Sequence, residues 1–249
     1  MKSELPLFYY QPNDVDYLQK SLSLNKKIFK DILVLKKTDY PEFNNVYQHM
    51  CHNHEQFERL CFLRFYAMLE YVKQNNIDKF LYCDSDAIFL KVLDFENILD
   101  NEECVACRPE EQNKFDDITC AHFSIWTKDG LESFCNFITD TYTNNIDVIT
   151  PKWKWHLENQ VGGGICDMTL MYHWYKGNKN LYKMVDGAFD RGIGMSRNTI
   201  EDEYEMKNNI KRLKMKNGKV FAFNNKSEEI EFFGLHFQGN TKHYMNLLS

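Results

Sequence analysis

Short apolar runs alternate along the chain with stretches whose apolar residues recur every three or four positions, and this alternation predicts an α/β fold. Residues 5–10 (LPLFYY) form an apolar and aromatic run closed by Gln11-Pro12-Asn13-Asp14, which reads as a buried first strand and a turn. Asp14 or Asn13 is then placed to cap a helix from Val15, and residues 32–35 read as a second buried strand. From Glu55 to Asn75 the stripe Phe57, Leu60, Cys61, Arg64, Phe65, Met68, Leu69 and Val72 predicts a long amphipathic helix. Residues 80–83 (FLYC) form a further strand, cut short by Asp84-Ser85-Asp86 and followed at once by another at residues 87–90.

Later segments are predicted as strands at 104–107 and 120–127, a helix at 129–142, and a Trp-rich loop at 148–164. A helix at 166–175 and a last strand at 232–237 complete the pattern. Strands alternating with helices imply a central mixed, mostly parallel sheet flanked by helices on both faces. No internal repeat or long linker divides the chain, so residues 1–249 are expected to form a single domain. Ligands of such sheets collect beyond the carboxyl ends of the strands, where Asp84 falls.

Composition narrows the function. The chain has 249 residues, 43% hydrophobic and 15% aromatic, enough for a packed core and incompatible with a disordered chain. A formal charge of -6 argues against a nucleic-acid partner, and an anionic small substrate would need its charge met locally by a metal or a few placed cations. No run of eighteen apolar residues occurs and residues 1–10 lack a secretory leader, so a cytoplasmic protein is expected. Eight scattered cysteines fit a reducing compartment. Cys104 and Cys107 have C-x-x-C spacing, but they lie in an apolar strand with no second Cys or His pair, so a plain strand is the better reading. The basic run Lys207, Lys211, Arg212, Lys214, Lys216 and Lys219 is expected to be a solvated helix or loop. Its sharper alternative is a patch for an anionic acceptor or for peripheral contact with a membrane surface.

The chemistry-bearing residues begin with Asp84 and Asp86. Two carboxylates one residue apart at the end of a buried strand repel each other, and a divalent cation, Mn²⁺ or Mg²⁺, resolves the conflict while leaving positions open for phosphate oxygens. Ser85 between them is a further candidate contact. A metal so held would stabilise charge on a departing diphosphate. His236 opens the pattern His236-x-x-Gly239-x-x-Lys242, which offers an imidazole ligand, a glycine permitting close backbone approach, and a cation for phosphate. Gly162-Gly163-Gly164-Ile165-Cys166-Asp167 is a further candidate segment. There Gly163 and Gly164 would let the backbone approach a substrate closely, and Asp167 would hold its hydroxyls or take a proton, with an N-cap as its plain alternative. Trp153, Trp155 and His156 could stack on a ligand or simply pack, and His122 and Trp126 are weaker candidates.

These residues resemble the GT-A-fold glycosyltransferases with a D-x-D motif, and among them the glycogenin-like and lipopolysaccharide-galactosyltransferase-like family 8. The resemblance rests on Arg64 in Leu63-Arg64-Phe65-Tyr66, on residues 80–90, and on residues 234–242. It implies a nucleotide-sugar donor, with a UDP-sugar favoured, and a glycan or glycolipid acceptor, with retention of configuration. It further implies that Asp84, Asp86 and His236 hold the metal, that Lys242 and the Gly239 backbone hold the diphosphate, that Arg64 contacts the donor, and that Tyr10 and Gln11 lie against the base. Residues 162–167 are then the candidate sugar and acceptor side, and the run from Trp153 to His156 is a candidate surface for sugar stacking. Residues 1–110 would then bind the nucleotide, and residues 111–249 the acceptor while supplying the last motif. Two departures stand out: His243-Tyr244 follows the final motif where the family carries Pro-Trp, and Asp167-Met168 stands where it carries Asp-Gln. A sugar nucleotidyltransferase is the nearest rival, disfavoured because residues 10–14 contain no Gly-rich loop. A catalytically silent carbohydrate-binding protein of the same fold is the third possibility.

Overall fold

The computed structural model describes residues 2–107, 115, 119–178, 182–185, 189–198 and 203–248. Its centre is a six-stranded sheet built from β1 (Leu7–Tyr10), β2 (Ile32–Leu35), β3 (Lys79–Cys83), β5 (Cys104–Cys107), β6 (Cys120–Thr127) and β7 (Tyr182–Val185), with β4 (Ala87–Phe89) standing outside it. The strand order is β2-β1-β3-β6-β5-β7. All neighbours run parallel except at β6, which is antiparallel to both β3 and β5. The sheet is therefore mixed and mostly parallel, as expected. β7 was not anticipated, and β2, expected to be buried, is only half-covered because it forms the sheet edge.

Alternation along the strands explains the two covered faces. Phe8, Phe80 and Tyr82 point to one side, where they meet α3 (Glu55–Asn75), α5 (Lys128–Thr143) and α7 (Asp167–Gly177) through Phe62, Phe65, Phe134 and Trp174. Leu7, Tyr9, Leu81 and Cys83 point to the other side, against α1 (Asp16–Asn25) and α4 (Phe95–Leu99). The short α2 spans Pro41–Asn44. α3 has the predicted bounds, begun by the His54 side chain, which accepts the Gln56 N–H, and ended by Asn76 in the left-handed region at φ 52°. Phe57, assigned to its buried stripe, is instead 59% exposed, and Glu58 beside it is the residue that the first turn of α3 buries.

Three local expectations fail for identifiable reasons. α1 follows Val15, which has no side chain able to cap, and Asp14 is engaged elsewhere with Lys36 at 2.8 Å. The expected Trp-rich loop contains a helix, α6 (Thr150–Asn159), started by Pro151 and ended by Gln160 at φ 54°. Its run Trp153-Lys154-Trp155-His156 hides the helical period, since only Lys152 and His156 are buried. The basic run is neither a helix nor a loop over its described residues but paired strands: β8 (Met206–Lys207) with β9 (Ile210–Lys211), and β10 (Leu213–Lys216) with β11 (Lys219–Phe223). Asn208-Asn209 and Asn217-Gly218 take positive φ at each turn, the geometry of two-residue hairpins. Four of the run's cations make ion pairs, Lys211 with Asp190, Arg212 with Glu205, Lys214 with Glu229 and Lys219 with Glu231.

The expected last strand is broken at Phe233. β12 (Glu229–Phe232) extends the β10-β11 sheet, while β13 (Gly234–His236) crosses to pair antiparallel with β4. Ile88, Val220, Phe232, Leu235 and Phe237 close a third core there. No helix among the described residues is long and apolar enough to cross a membrane.

Candidate functional site

The chain leaves the sheet at the end of β3 and turns through Asp84-Ser85-Asp86, closed by the Ala87 N–H donating to the Asp84 carbonyl at 2.9 Å. β4 then pairs with β13 in a register that sets His236 opposite Ala87, and the Phe237 N–H donates to the Asp86 carbonyl at 2.9 Å. His236 Nε2 consequently lies 3.2 Å from Asp86 Oδ1 and 3.8 Å from Asp84 Oδ2. One ligand atom from each of these three residues falls within 4.8 Å of the other two. Lys242, on the 3₁₀ helix Gly239–Leu248, brings its ammonium to 2.7 Å from Asp86 Oδ2. The far end of the chain thus meets the strand-end acids through one ladder and one helical turn.

The chemistry of this donor set fits a hard divalent cation. His236 Nδ1 donates to the Arg191 carbonyl at 2.9 Å, which leaves Nε2 facing the two carboxylates. A bare imidazole lone pair aimed at anionic oxygens is repulsive, so that atom must carry a proton or share a cation with the acids. Burial alone would lower the His236 pKa, yet the Asp86 hydrogen bond and the charges of Asp86 and Asp84 raise it above its ordinary value. Asp86, although its burial works the other way, is drawn down to about 2 by His236 and Lys242. Two carboxylates and one imidazole are ligands suited to Mn²⁺ or Mg²⁺ with positions left for phosphate oxygens.

Arg64 links this group to α7. From the buried middle of α3, one guanidinium nitrogen donates to Asp84 Oδ1 at 2.7 Å and to the Tyr82 hydroxyl oxygen at 3.0 Å, while the other pairs with Asp167. Tyr82 in turn donates to Asp84 Oδ1 at 2.7 Å. Asp84 Oδ1 is therefore committed, and Oδ2 is the oxygen turned towards His236. Asp167 stands at the first position of α7 and is 3% exposed. Burial pushes its carboxyl above the usual range against the pull of Arg64. The plain alternative of an N-cap does not describe it, since Cys166 is the capping residue.

The other predicted residues divide into neighbours of the group and packing residues. Gln11, just past β1, accepts a 2.6 Å hydrogen bond from Ser85, which ties the first strand's end to the acidic turn. Tyr10 is buried in the core with its hydroxyl donating to the Lys37 carbonyl at 3.2 Å. Gly239 has φ 59°, and no atom stands within 4 Å of where a Cβ would be. Gly163 and Gly164, at φ 108° and 143°, make a close approach to the chain itself: a Cβ on Gly164 would lie 2.4 Å from the Met50 carbonyl oxygen, and the His52 N–H donates to the Gly163 carbonyl at 2.9 Å. Trp126 is a core residue stacked on Phe134. Trp153 packs against the core and edge-on to His52, and Trp155 tilts against Phe115. His156 Nδ1 donates to the Val161 carbonyl at 3.1 Å.

His122 proves more central than its neighbours on β6. Its ring stacks on His236 with centroids 4.5 Å apart, and its Nε2 donates to the Asp190 carbonyl at 3.1 Å. Burial, with the adjacent His236, holds its pKa well below the ordinary value. Sequence reasoning missed Tyr82, Asp190 and the Arg191 carbonyl. Tyr82 was open to notice as the residue two before Asp84 in a strand, on the face that α3 covers. The C-x-x-C pair is settled in part: Cys104 is a buried thiol in β5 whose pKa burial raises, and the Cys107 side chain lies outside the described residues.

No family model matches the sequence, and no curated protein matches it. Solved structures similar to the chain include a glycosyltransferase involved in glycosylation of the major capsid of PBCV-1, at 11% identity and a TM-score of 0.43, covering 75% of this chain and 84% of that one. The galactosyltransferase LgtC in complex with donor and acceptor sugar analogs aligns at 11% identity and a TM-score of 0.41, over 74% of each chain. Mouse xyloside xylosyltransferase 1 aligns at 10% identity and a TM-score of 0.44, over 76% of this chain and 87% of that one.

Proposed function

We propose that the chain is a divalent-metal-dependent glycosyltransferase, which takes a sugar from a nucleotide-diphosphate sugar and passes it to a hydroxyl of a glycan or glycolipid. The observation that carries this reading is the convergence of Asp84, Asp86 and His236, with ligand atoms within 4.8 Å of one another, beside the ammonium of Lys242 at the carboxyl end of the central sheet. Asp84 Oδ2, Asp86 and His236 Nε2 would hold Mn²⁺ or Mg²⁺, which when bound supplies Lewis-acid stabilisation of a departing diphosphate. The Arg191 carbonyl keeps the His236 proton on Nδ1, so Nε2 would be free to ligate the ion. Lys242 would exchange part of its pairing with Asp86 for a diphosphate oxygen, adding a cation where charge develops.

Arg64 and Tyr82 hold Asp84 in place, and Arg64 ties the Asp167 carboxylate to the same group, where it would accept hydrogen bonds from hydroxyls of the transferred sugar. Gln11 and Ser85 would border the nucleotide, with Tyr10 beneath, and the Gly239 backbone would approach the diphosphate. Gly163 and Gly164 are assigned to shaping the wall on the sugar side. UDP as the carrier and retention of configuration are proposed on the family 8 resemblance. We place the whole activity in one domain, with residues 1–110 on the nucleotide side and 111–249 on the acceptor side. The free thiols support a cytoplasmic location. Any membrane contact would be peripheral, through Lys207 and Lys216 of the hairpins, since the run's other cations make ion pairs.

Incubation with UDP-glucose, UDP-galactose and UDP-N-acetylglucosamine plus Mn²⁺ tests the reading. Slow donor hydrolysis that stops on chelation supports a transferase. Formation of a nucleotide sugar from sugar phosphate and UTP identifies a nucleotidyltransferase instead, and inertness towards every donor leaves a binding protein.

A further inference from the structure

Lys211 belongs by sequence to a basic run expected to face solvent, yet its side chain is 0% exposed and so is that of Asp190, its ion-pair partner at 2.7 Å. A buried charge pair is costly to assemble, and apolar residues of similar volume often serve stability as well or better. The partners of this pair give it a specific task. The Lys211 ammonium also donates to the Gly192 carbonyl at 2.7 Å, and the Lys211 backbone N–H donates to the Ile193 carbonyl at 2.6 Å. One lysine therefore grips residues 190, 192 and 193, on either side of Arg191. Arg191 supplies the carbonyl that receives His236 Nδ1.

The same segment is fastened to β13 from its other edge. The Asp190 N–H donates to the Gly234 carbonyl at 3.0 Å, and the Ile193 N–H to the His236 carbonyl at 2.9 Å. Asp190 Oδ2 accepts the His236 N–H at 3.3 Å, and its main-chain carbonyl accepts from His122, the ring stacked on His236. Thus both sides of the His236 environment, the Arg191 carbonyl behind the ring and the His122 imidazole beside it, depend on the segment 190–193 that the buried carboxylate and ammonium clamp.

We propose that the Asp190–Lys211 pair is a positioning device for the metal ligand His236: it fixes the Arg191 carbonyl, and through it the direction of His236 Nε2. The inference rests on the metal reading above. Loss of a group that orients a metal-ligating histidine typically weakens metal binding by about 10–100-fold.

The test is Mn²⁺ titration of the full chain, with no nucleotide, followed by the electron paramagnetic resonance signal of free Mn²⁺ and paired with thermal unfolding. Wild type and His236→Ala come first: failure of wild type to bind Mn²⁺ overturns the metal reading and this inference with it. Asp190→Leu combined with Lys211→Met removes both charges together and leaves no unpaired ion in the core. Asp190→Asn, nearly isosteric, is the second variant. The expected result is a cooperative melt with Mn²⁺ affinity reduced about 10–100-fold. A folded variant of either kind that binds Mn²⁺ as wild type does overturns the proposal while leaving the metal reading intact. Failure of both variants to fold assigns the pair to the stability of the fold and overturns it equally.

Discussion

His236 Nε2 and Asp86 Oδ1 approach to 3.2 Å although they come from widely separated parts of the chain, and the register of β4 against β13 is what joins them. A shift of that ladder by one residue would turn the imidazole to the opposite face and leave two strand-end carboxylates without it. The proposed metal centre is thus a property of strand pairing as much as of the three residues.

Asp86→Ala should abolish Mn²⁺ binding and Mn²⁺-dependent donor binding. The substitution removes a proposed ligand, and it also frees His236 and Lys242, which both pair with Asp86. Because the residue lies at the site edge of the fold and not within a strand, far-ultraviolet circular dichroism should be unchanged. Calorimetric titration checks the first point, and an unaltered isotherm would refute the assignment.

Arg64→Ala should weaken donor affinity and also destabilise the protein. It strips the buried Asp167 of its ion-pair partner and takes one donor from Asp84, a loss of the kind that costs about 3–5 kcal/mol when one member of a buried pair is removed. Urea unfolding measures the stability change. A variant with wild-type stability would mean that the Arg64–Asp167 pair is not held in solution.

Glu58→Gln should raise the melting temperature at neutral pH. Glu58 is 2% exposed, and its Oε2 has no hydrogen-bond partner. Burial raises its carboxyl pKa, Asn53 opposes this through a 2.6 Å hydrogen bond, and the Asp167 charge raises it again. A carboxyl with a raised folded pKa contributes stability that is fully present below its unfolded value of 4.5 and lost as pH rises through the folded value. Glutamine does not titrate, so its advantage should be absent near pH 4 and grow towards pH 7, to roughly 2–4 °C per kcal/mol gained. Calorimetric melts across that range check it, and a constant difference would contradict it.

Gly164→Ala should destabilise whether or not a ligand is present. The added Cβ would meet the Met50 carbonyl oxygen at 2.4 Å with the backbone at φ 143°. Overpacking of this kind costs about 1–3 kcal/mol, and strain at such a φ adds a similar amount. Thermal unfolding of the metal-free protein measures it, and an unchanged melting temperature would show that the segment 162–165 does not sit against residues 50–52.

Much of the frame was legible in the sequence because its signals are local. α3, β2, β5 and β6 have the bounds their apolar patterns predict, and the acidic turn lies where a buried strand stops. Legibility failed where a tertiary partner decides the outcome. The hairpins of residues 206–223 look like a solvated basic run until Asn208-Asn209 and Asn217-Gly218 are read as turns, and nothing local marks Lys211 as the cation that will be buried against Asp190. α6 was hidden because its aromatic residues do not follow the helical period. For the site, the types and spacing of Asp84, Asp86, His236 and Lys242 were enough to nominate them. Tyr82 and the Arg191 carbonyl were not, since the first acts through a hydroxyl at the tip of a core residue and the second through the main chain, which carries no sequence signature.

The most direct test of the central claim is anomalous diffraction at the manganese edge from crystals grown with Mn²⁺ and UDP. The account predicts one strong peak bonded to Asp84, Asp86 and His236, at roughly 2.0–2.6 Å from their ligand atoms, with diphosphate oxygens completing its shell. A manganese ion bound elsewhere, or a diphosphate seated on the chain with no ion between it and these three residues, would contradict it.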